Sequence, residues 1–231
     1  MRALRIFLWD VRYQIKYGFY FLYGFISLLY LSVLLFLPEA LARPVTALVI
    51  LTDPAALGFF FIGGMVLLER GEGLHSYYSV MPATNREYVL SKALSLSMIS
   101  TIVALVIAGI MYRMEVNYLL LTVGVFAGAA VFTLFGLAVG TVSRSINHYF
   151  VIGVPVGILL MAPAFLVYTP IDSVLAEILP ATLLLRVLYS ALGLEVPYQP
   201  VFALLGIILW CIPAYIVAVT VFTRYMDRGG N

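Results

Sequence analysis

Charged side chains are scarce in this sequence. Asp, Glu, Lys and Arg make up 10% of its 231 residues, whereas hydrophobic residues make up 64%. Soluble domains carry about 25% charged residues, and so few polar side chains cannot cover a core this apolar. Most of the chain must therefore face lipid, and we expect an all-α membrane protein.

Cysteine and the signatures of common active sites are missing as well. Cys211 is the one cysteine, so no intrachain disulfide can form. The sequence holds no GxxxxGK[ST] phosphate loop, no HExxH metal site and no GxSxG nucleophile elbow. We therefore expect no enzyme, no metal and no cofactor in this chain. A net charge of +2 is too small to favour nucleic acid as a partner.

Long uncharged stretches predict membrane-spanning helices, which need about 20 apolar residues each. The second stretch is short and reaches full length only if 44–52 joins it across Asp53-Pro54. We prefer Asp53 as a helix cap, with Pro54 at the first helical position. The first stretch is too long for the core of a signal peptide, which favours an uncleaved anchor. The six predicted spans are 17–37, 54–69, 92–112, 118–142, 148–167 and 200–223.

The distribution of Lys and Arg predicts the orientation. With the N-terminus inside, ten basic residues lie on the cytoplasmic side and three outside, and both termini are cytoplasmic. The inner set is Arg2, Arg5, Arg12, Lys16, Arg70, Arg86, Lys92, Arg144, Arg224 and Arg228; the outer set is Arg43, Arg113 and Arg186.

Residues 1–16 are expected to form an interfacial helix. Apolar side chains recur at helical spacing along one face, and basic side chains with Trp9 recur along the other, which is typical of a helix in the headgroup plane. A plain cytoplasmic lead-in is the alternative. The apolar positions are Leu4, Phe7, Leu8, Val11 and Ile15; the others are Arg2, Arg5, Trp9, Arg12 and Lys16.

A charged hairpin, 70–91, separates the second and third spans. It begins beside Glu69, passes Pro82 and restarts at Thr84, whose spacing to Glu87 is that of a capping box. We expect a short helix around 72–80, followed by a turn and the helix that continues into the third span. His75, Tyr77 and Tyr78 would present a mixed polar and aromatic surface to the cytoplasm, which a plain solvated loop does not need.

Small residues indicate close helix packing in the bundle. The fourth and fifth spans carry three glycine pairs at a spacing of four, which lets helix backbones approach closely. The pairs are Gly124 with Gly128, Gly136 with Gly140, and Gly153 with Gly157.

The extracytoplasmic segment 168–199 is expected to hold two short helices, 172–179 and 181–192, dipping into the outer leaflet around Pro180. The second has an apolar face of Leu183, Leu184, Val187, Leu188 and Ala191.

Two tyrosines lie deep in the first span. Tyr23 and Tyr30 are seven residues apart and share a helix face. A hydroxyl at such depth needs a partner, so this face points at protein or at a cavity. Packing is the main interpretation, and a wall of a substrate path is the alternative.

The hairpin resembles the permeases of type-2 ATP-binding cassette exporters. Their loop after the second span reads E-[RK]-x-x-G with a nearby proline, matched here by Glu69, Arg70, Gly73 and Pro82, with Glu72 as a second acid. The lead Asp10–Tyr20 and the Asp53-Pro54 before a Phe-Phe-Phe-Ile-Gly run resemble in particular the permeases labelled fluoroquinolone exporters.

The resemblance implies a division of labour between subunits. Two six-span permeases pair, as a homodimer or with a sister chain, in the plasma membrane of a prokaryote. Two separate ATPases bind ATP and Mg²⁺ and grip the hairpin as a coupling helix. Glu69 and Arg70 would hold the hairpin to the interfacial helix or to the ATPase, and Glu72 would pair with a basic ATPase residue.

The resemblance also implies an exported cargo. A path between the permeases would carry an amphipathic drug, a lipid or a hydrophobic peptide outward. The second and fifth spans would line it, with Phe59, Phe60, Met161 and Phe165 as candidates; plain packing is the alternative for each. A self-contained transporter or channel without an ATPase is the rival function.

Overall fold

The computed structural model describes residues 2–52, 58–74, 84–168, 177–195 and 199–228, with side chains from residue 5 onward. Every regular element within these ranges is helical, and a 3-10 turn, Leu166–Tyr168, extends the seventh α-helix. The helices are α1 Arg2–Lys16, α2 Phe19–Leu34, α3 Glu39–Thr52, α4 Phe59–Gly71, α5 Asn85–Tyr112, α6 Tyr118–Val142, α7 Ile146–Phe165, α8 Pro180–Ala191 and α9 Pro200–Asp227.

The expectation of an all-helical chain with several apolar spans is confirmed. Helices α5, α6, α7 with its 3-10 turn, and α9 are each long and apolar enough to cross a membrane. Helices α1 and α2 together form a fifth candidate, bent by 64° at the break between them. The described part of α4 covers 13 residues, fewer than a crossing needs. A count of six spans therefore stays a prediction.

The chain termini distinguish the two ends of the bundle. At the terminal end, α1 and the last turns of α9 meet the start of α5, where the Asn85 side chain donates to the Thr223 hydroxyl at 3.4 Å. At the opposite, distal end, Arg43 of α3 pairs with Glu115 and donates to the Leu192 carbonyl at 2.7 Å.

Helix α3 was not predicted, because the apolar stretch after Pro44 is too short to span. It forms because it packs against α8 instead of crossing lipid alone, and Ala47, Ile50 and Leu51 are completely buried. Helix α3 begins at the distal end, and α4 ends at the terminal end. The predicted cap, Asp53-Pro54, lies outside the described residues.

Helix α6 is the centre of the bundle and the most buried of the candidate spans. Gly124 and Gly128 face α8, and a Cβ at Gly128 would lie 2.5 Å from a methyl of Leu184. Gly136 and Gly140 face α4, and the Gly140 Cβ would lie 3.0 Å from the Gly63 Cα. The expected close packing is confirmed for these two pairs, because side chains at either would separate the helices.

Helix α8, Pro180–Ala191, lies where the second short helix was expected, over 181–192. Its face of Leu184, Val187, Leu188 and Ala191 is buried between α3, α6, α7 and α9. Most of the preceding helix, expected over 172–179, lies outside the described residues. The second helix of segment 168–199 is therefore part of the protein core.

Helix α1 turns a different face to the protein than its apolar stripe suggests. Leu8 and Ile15 of that stripe are 49% and 57% exposed, whereas Asp10 and Gln14 are fully buried. Polar groups can occupy the buried face because α5 supplies hydrogen-bonding partners for them. The apolar stripe remains free to meet lipid, as an interfacial helix requires.

Candidate functional site

A cluster of charged residues lies at the terminal end, around the two ends of loop 72–84. Helix α4 enters the loop and α5 leaves it, while α1 packs against α5 and reaches the end of α4 through side-chain contacts. This arrangement places the charged residues of the loop's flanks among three helices. We call their assembly the charged junction, defined by Asp10, Glu69, Glu72 and Lys92.

Lys92 is the centre of the charged junction. Its ammonium lies 2.5 Å from the Asp10 carboxylate and also pairs with Glu69. The side chains of all three residues are fully buried. One cation of α5 thus binds an anion of α1 and an anion of α4, so the three helices are held at one point.

The remaining hydrogen-bonding capacity of this triad is met by neighbouring side chains. The Ser91 hydroxyl donates to Asp10, and the Tyr88 hydroxyl donates to Glu69 at 2.6 Å. The Lys92 ammonium also lies 5.5 Å from the ring centre of Tyr13 and 5.2 Å from that of Tyr88. A buried ion pair is tolerated only with such additional partners, because desolvation is costly.

A second polar contact lies beside the triad. The Gln14 amide of α1 donates to the Ser95 hydroxyl of α5 at 2.7 Å, and both side chains are buried. Two successive turns of α5 therefore hold α1. This spacing fixes the direction of α1 as well as its position.

Glu72 joins the first turn of the loop to α1. Its carboxylate accepts hydrogen bonds from Tyr13, at 3.3 Å, and from Tyr17. The next residue, Gly73, has φ +70°, a left-handed conformation that glycine adopts without strain. The chain thus turns sharply just after its attachment to α1.

Arg70 binds the end of α6. Its guanidinium donates to the carbonyls of Ser143 at 2.6 Å and Thr141 at 2.7 Å, and it lies 4.5 Å from the ring centre of Tyr225. Carbonyls at a helix C-terminus are unpaired and carry partial negative charge, so a cation is favourable there.

The far end of the loop is fixed by a capping box, as predicted. The Thr84 hydroxyl accepts from the Glu87 backbone, and the Glu87 carboxylate accepts from the Thr84 backbone at 2.8 Å. One residue later, the Tyr88 ring stacks on Phe222 of α9, with ring centres 4.4 Å apart. Both ends of the loop are therefore attached to packed helices.

Comparisons with known proteins show to which family the chain belongs. A model of the Fluoroquinolones export permease protein family matches residues 1–228. The chain is a member of this family. Relatives named Fluoroquinolones export permease protein occur in Mycobacterium tuberculosis strains CDC 1551 and H37Rv. Each is 31% identical over 162 residues, which are 70% of this chain and 67% of the relative.

In this family member, the predicted coupling residues fall into two groups. Glu69, Arg70, Glu72 and Gly73 lie in or beside the charged junction, whereas the others lie outside the described residues; these are His75, Tyr77, Tyr78 and Pro82. Lys92 connects Glu69 to Asp10 of α1, a contact compatible with the first of the two roles predicted for Glu69. Arg70 binds α6, a role that the sequence did not indicate.

Sequence reasoning missed half of the charged junction. Asp10 and Lys92 were noted only as parts of a motif and of a basic count, and Tyr13 and Tyr17 were not singled out. One signal was available: Asp10 is the only acid among the first 38 residues, and it lies in a predicted helix whose other charged residues are all basic.

Three predicted substrate-path residues of the family member lie together. Phe60, Met161 and Phe165 line an open apolar groove of about 370 Å³ along α7. Phe165 is 46% exposed there.

The other three predicted path residues do not line this groove. Phe59 is buried, and its carbonyl accepts the Tyr149 hydroxyl at 2.6 Å. Tyr23 is buried against Ser100 and Phe61, which supports its packing interpretation. Tyr30 is half-buried on the same helix.

Among the described residues, no cluster of His, Cys, Asp and Glu is suited to hold a metal ion.

Proposed function

We propose that this chain is the membrane-spanning, non-catalytic permease subunit of an ATP-driven exporter, powered by a separate ATPase. The observation that carries the proposal is the attachment of loop 72–84 at both ends. Lys92 and its two carboxylates hold the loop's flanks to α1, and the capping box fixes the start of α5. A partner that pushes on this loop would move three helices as one body.

The proposal requires the loop to face the cytoplasm. The terminal end then holds both termini, and the ten-to-three distribution of basic residues supports this orientation in a prokaryotic plasma membrane. Six crossings result if residues 39–71 make the second crossing, through α3 and α4 in series. A second permease, identical or a sister chain, would complete the path.

The proposed cargo is an amphipathic or hydrophobic molecule. The groove of Phe60, Met161 and Phe165 is apolar and aromatic, and such surfaces bind drug-like molecules. The relatives are named for fluoroquinolones, so a fluoroquinolone is the first substrate to test; a lipid or a hydrophobic peptide fits the same surface.

The first experiment identifies the energy source. The chain is purified at native expression level, and we expect an ATPase to co-purify at about one copy per permease. Proteoliposomes that contain both should accumulate a fluoroquinolone only when ATP is supplied. Uptake by the chain alone, driven by a proton gradient, would contradict the proposal and support the self-contained transporter, whose best support is the buried charge of the Asp10–Lys92–Glu69 triad.

The second experiment tests the coupling role of the junction. The double change Tyr13→Phe and Tyr17→Phe removes both donors to Glu72 but keeps the rings. We expect the ATPase to bind and hydrolyse ATP as before, while transport per ATP falls severalfold, because Glu72, at the start of the loop, is released from Tyr13 and Tyr17. Tyr20→Phe is the matched control, since its buried hydroxyl has no hydrogen-bond partner in the part of the chain that the structure describes. Equal transport in both variants would refute the role.

A further inference from the structure

A basic cavity lies at the terminal end, between the last turns of α6 and α9. Its volume is about 420 Å³, and four arginines line it: Arg70, Arg144, Arg224 and Arg228. The whole sequence has 13 Lys and Arg residues, so almost a third of its basic side chains converge on one cavity. The coupling role proposed above does not involve Arg144, Arg224 or Arg228.

Arg70 has partners and forms one wall of the cavity. Its terminal nitrogens are occupied by the carbonyls of Thr141 and Ser143, and its guanidinium lies on the Tyr225 ring. Its Nε is buried and has no hydrogen-bond partner within the described ranges of the chain. The charge of Arg70 offsets the partial negative charge at the C-terminus of α6, so that helix end does not repel an anion.

The other three arginines have no counter-ion among the residues that the structure describes. In the part of the chain that the structure describes, no carboxylate pairs with Arg144, Arg224 or Arg228. Arg224 and Arg228 are one turn apart on α9 and therefore point to the same side. Asp227, the acid next to them in sequence, does not line the cavity. Three unpaired guanidinium groups in one concave site are an unsatisfied binding site for an anion.

We propose that this cavity binds a phosphate group, and that the headgroup of an anionic phospholipid supplies it. Guanidinium groups bind phosphate oxygens with two parallel hydrogen bonds, and basic pockets between membrane helices hold lipid headgroups. The position of the cavity favours lipid over free phosphate. It lies where two candidate spans end, and Val142 and Val221 add an apolar wall that suits the glycerol and acyl part of a lipid.

The test compares two double variants of the full-length chain that remove equal charge. Arg224→Gln with Arg228→Gln changes the cavity. Arg5→Gln with Arg12→Gln is the control, because both residues are exposed on α1 at the same end and outside the cavity. The readout is the affinity for phosphatidylglycerol, measured by native mass spectrometry of the detergent-solubilised chain, with phosphatidylcholine as the neutral comparison.

We expect the cavity variant to bind phosphatidylglycerol about thirtyfold more weakly, since each basic group near an anionic lipid contributes roughly a factor of five. The control should stay within twofold of the parent. Arg224→Lys with Arg228→Lys should recover part of the loss, which excludes a folding defect as its cause. Equal losses in the cavity variant and the control would overturn the proposal, because the attraction would then belong to the net charge.

Inorganic phosphate separates the two sources of the ligand. It should fail to displace the bound lipid at millimolar concentration. Displacement by phosphate, without preference for phosphatidylglycerol over phosphatidylcholine, would overturn the lipid assignment and identify a free anion. Unchanged lipid binding combined with lost ATPase co-purification would also overturn it, because the arginines would then serve a protein partner. The lipid and phosphate measurements use the chain alone and do not depend on whether an ATPase drives transport; only the co-purification measurement requires the ATPase.

Discussion

At the scale of single residues, the unusual feature is a completely buried lysine between two carboxylates. Lys92 lies seven residues inside a helix that carries no charged residue beyond it, and Asp10 and Glu69 approach from two other helices. The arrangement is stable only as a whole. Breaking a buried ion pair by removing one partner costs about 3–5 kcal/mol, because the other charge stays buried.

Lys92→Met should therefore destabilise the chain strongly, by about 3–5 kcal/mol, since two carboxylates would remain buried without a cation. The measurement is thermal stability in detergent by size-exclusion chromatography. The triple variant Lys92→Met, Asp10→Asn, Glu69→Gln should be more stable than the single one, because no buried charge is left. Lys16→Met, at an exposed site on α1, is the control. A single variant as stable as this control would contradict the prediction.

Phe165 is the residue that tests the proposed path. Phe165→Ala should lower fluoroquinolone transport by about fivefold to tenfold, because an apolar contact worth ~1 kcal/mol or more is lost from the groove. ATPase binding should not change. Leu159→Ala is the control, since Leu159 is 71% exposed on the same helix outside the groove. Similar transport by both variants would place the cargo elsewhere.

At the scale of elements, close packing of α4 on α6 depends on glycines. A Cβ at Gly136 would lie 2.4 Å from the Phe59 carbonyl oxygen, and that backbone cannot move without moving α4. α4 carries Glu69 and Arg70 at its end, so the same packing positions the charged junction. The geometry at the start of the loop therefore depends on how closely α4 packs against α6.

Gly136→Ala should destabilise the chain by about 1–3 kcal/mol, because the added methyl forces α4 and α6 apart. Gly64→Ala is the matched control in α4, where a Cβ would meet nothing within 4 Å. That control should be neutral or slightly stabilising, since alanine favours helix more than glycine does. Both are measured by thermal unfolding in detergent. Equal stability of the two variants would show that α4 shifts at no cost.

At the scale of the whole molecule, α1, the last turns of α9 and the two ends of loop 72–84 lie at one end of the bundle, and Arg43 and Glu115 pair at the other. Contacts fix which residues share an end, and the basic residues predict which side of the membrane each end faces. The contacts that define the two ends do not depend on the orientation predicted from the basic residues. Chemical labelling can therefore test whether each end faces the predicted side.

Single cysteines in a Cys211→Ala background test the orientation. We expect an impermeant maleimide to label Glu39→Cys and Met114→Cys in intact cells. Arg86→Cys and Asn147→Cys should be labelled only after the membrane is opened, because they belong to the terminal end. All four positions are exposed. The opposite pattern would place loop 72–84 outside and exclude a cytoplasmic ATPase as its partner.

The sequence by itself determined the helical class, the family and the presence of several long apolar helices. α6 coincides with the predicted 118–142, and α5 with its capping box continues the predicted third span seven residues upstream. These properties are local: lipid requires long apolar helices, and a cap depends on residues three apart.

Only the tertiary structure decided which side chains meet. Lys92 finds Asp10 across 82 positions, and three residues of the proposed path meet along α7, while three others are buried or lie elsewhere. Helix α3 and the buried polar face of α1 were decided in the same way. Helical periodicity shows that a face exists, but the partner that covers it comes from distant parts of the chain.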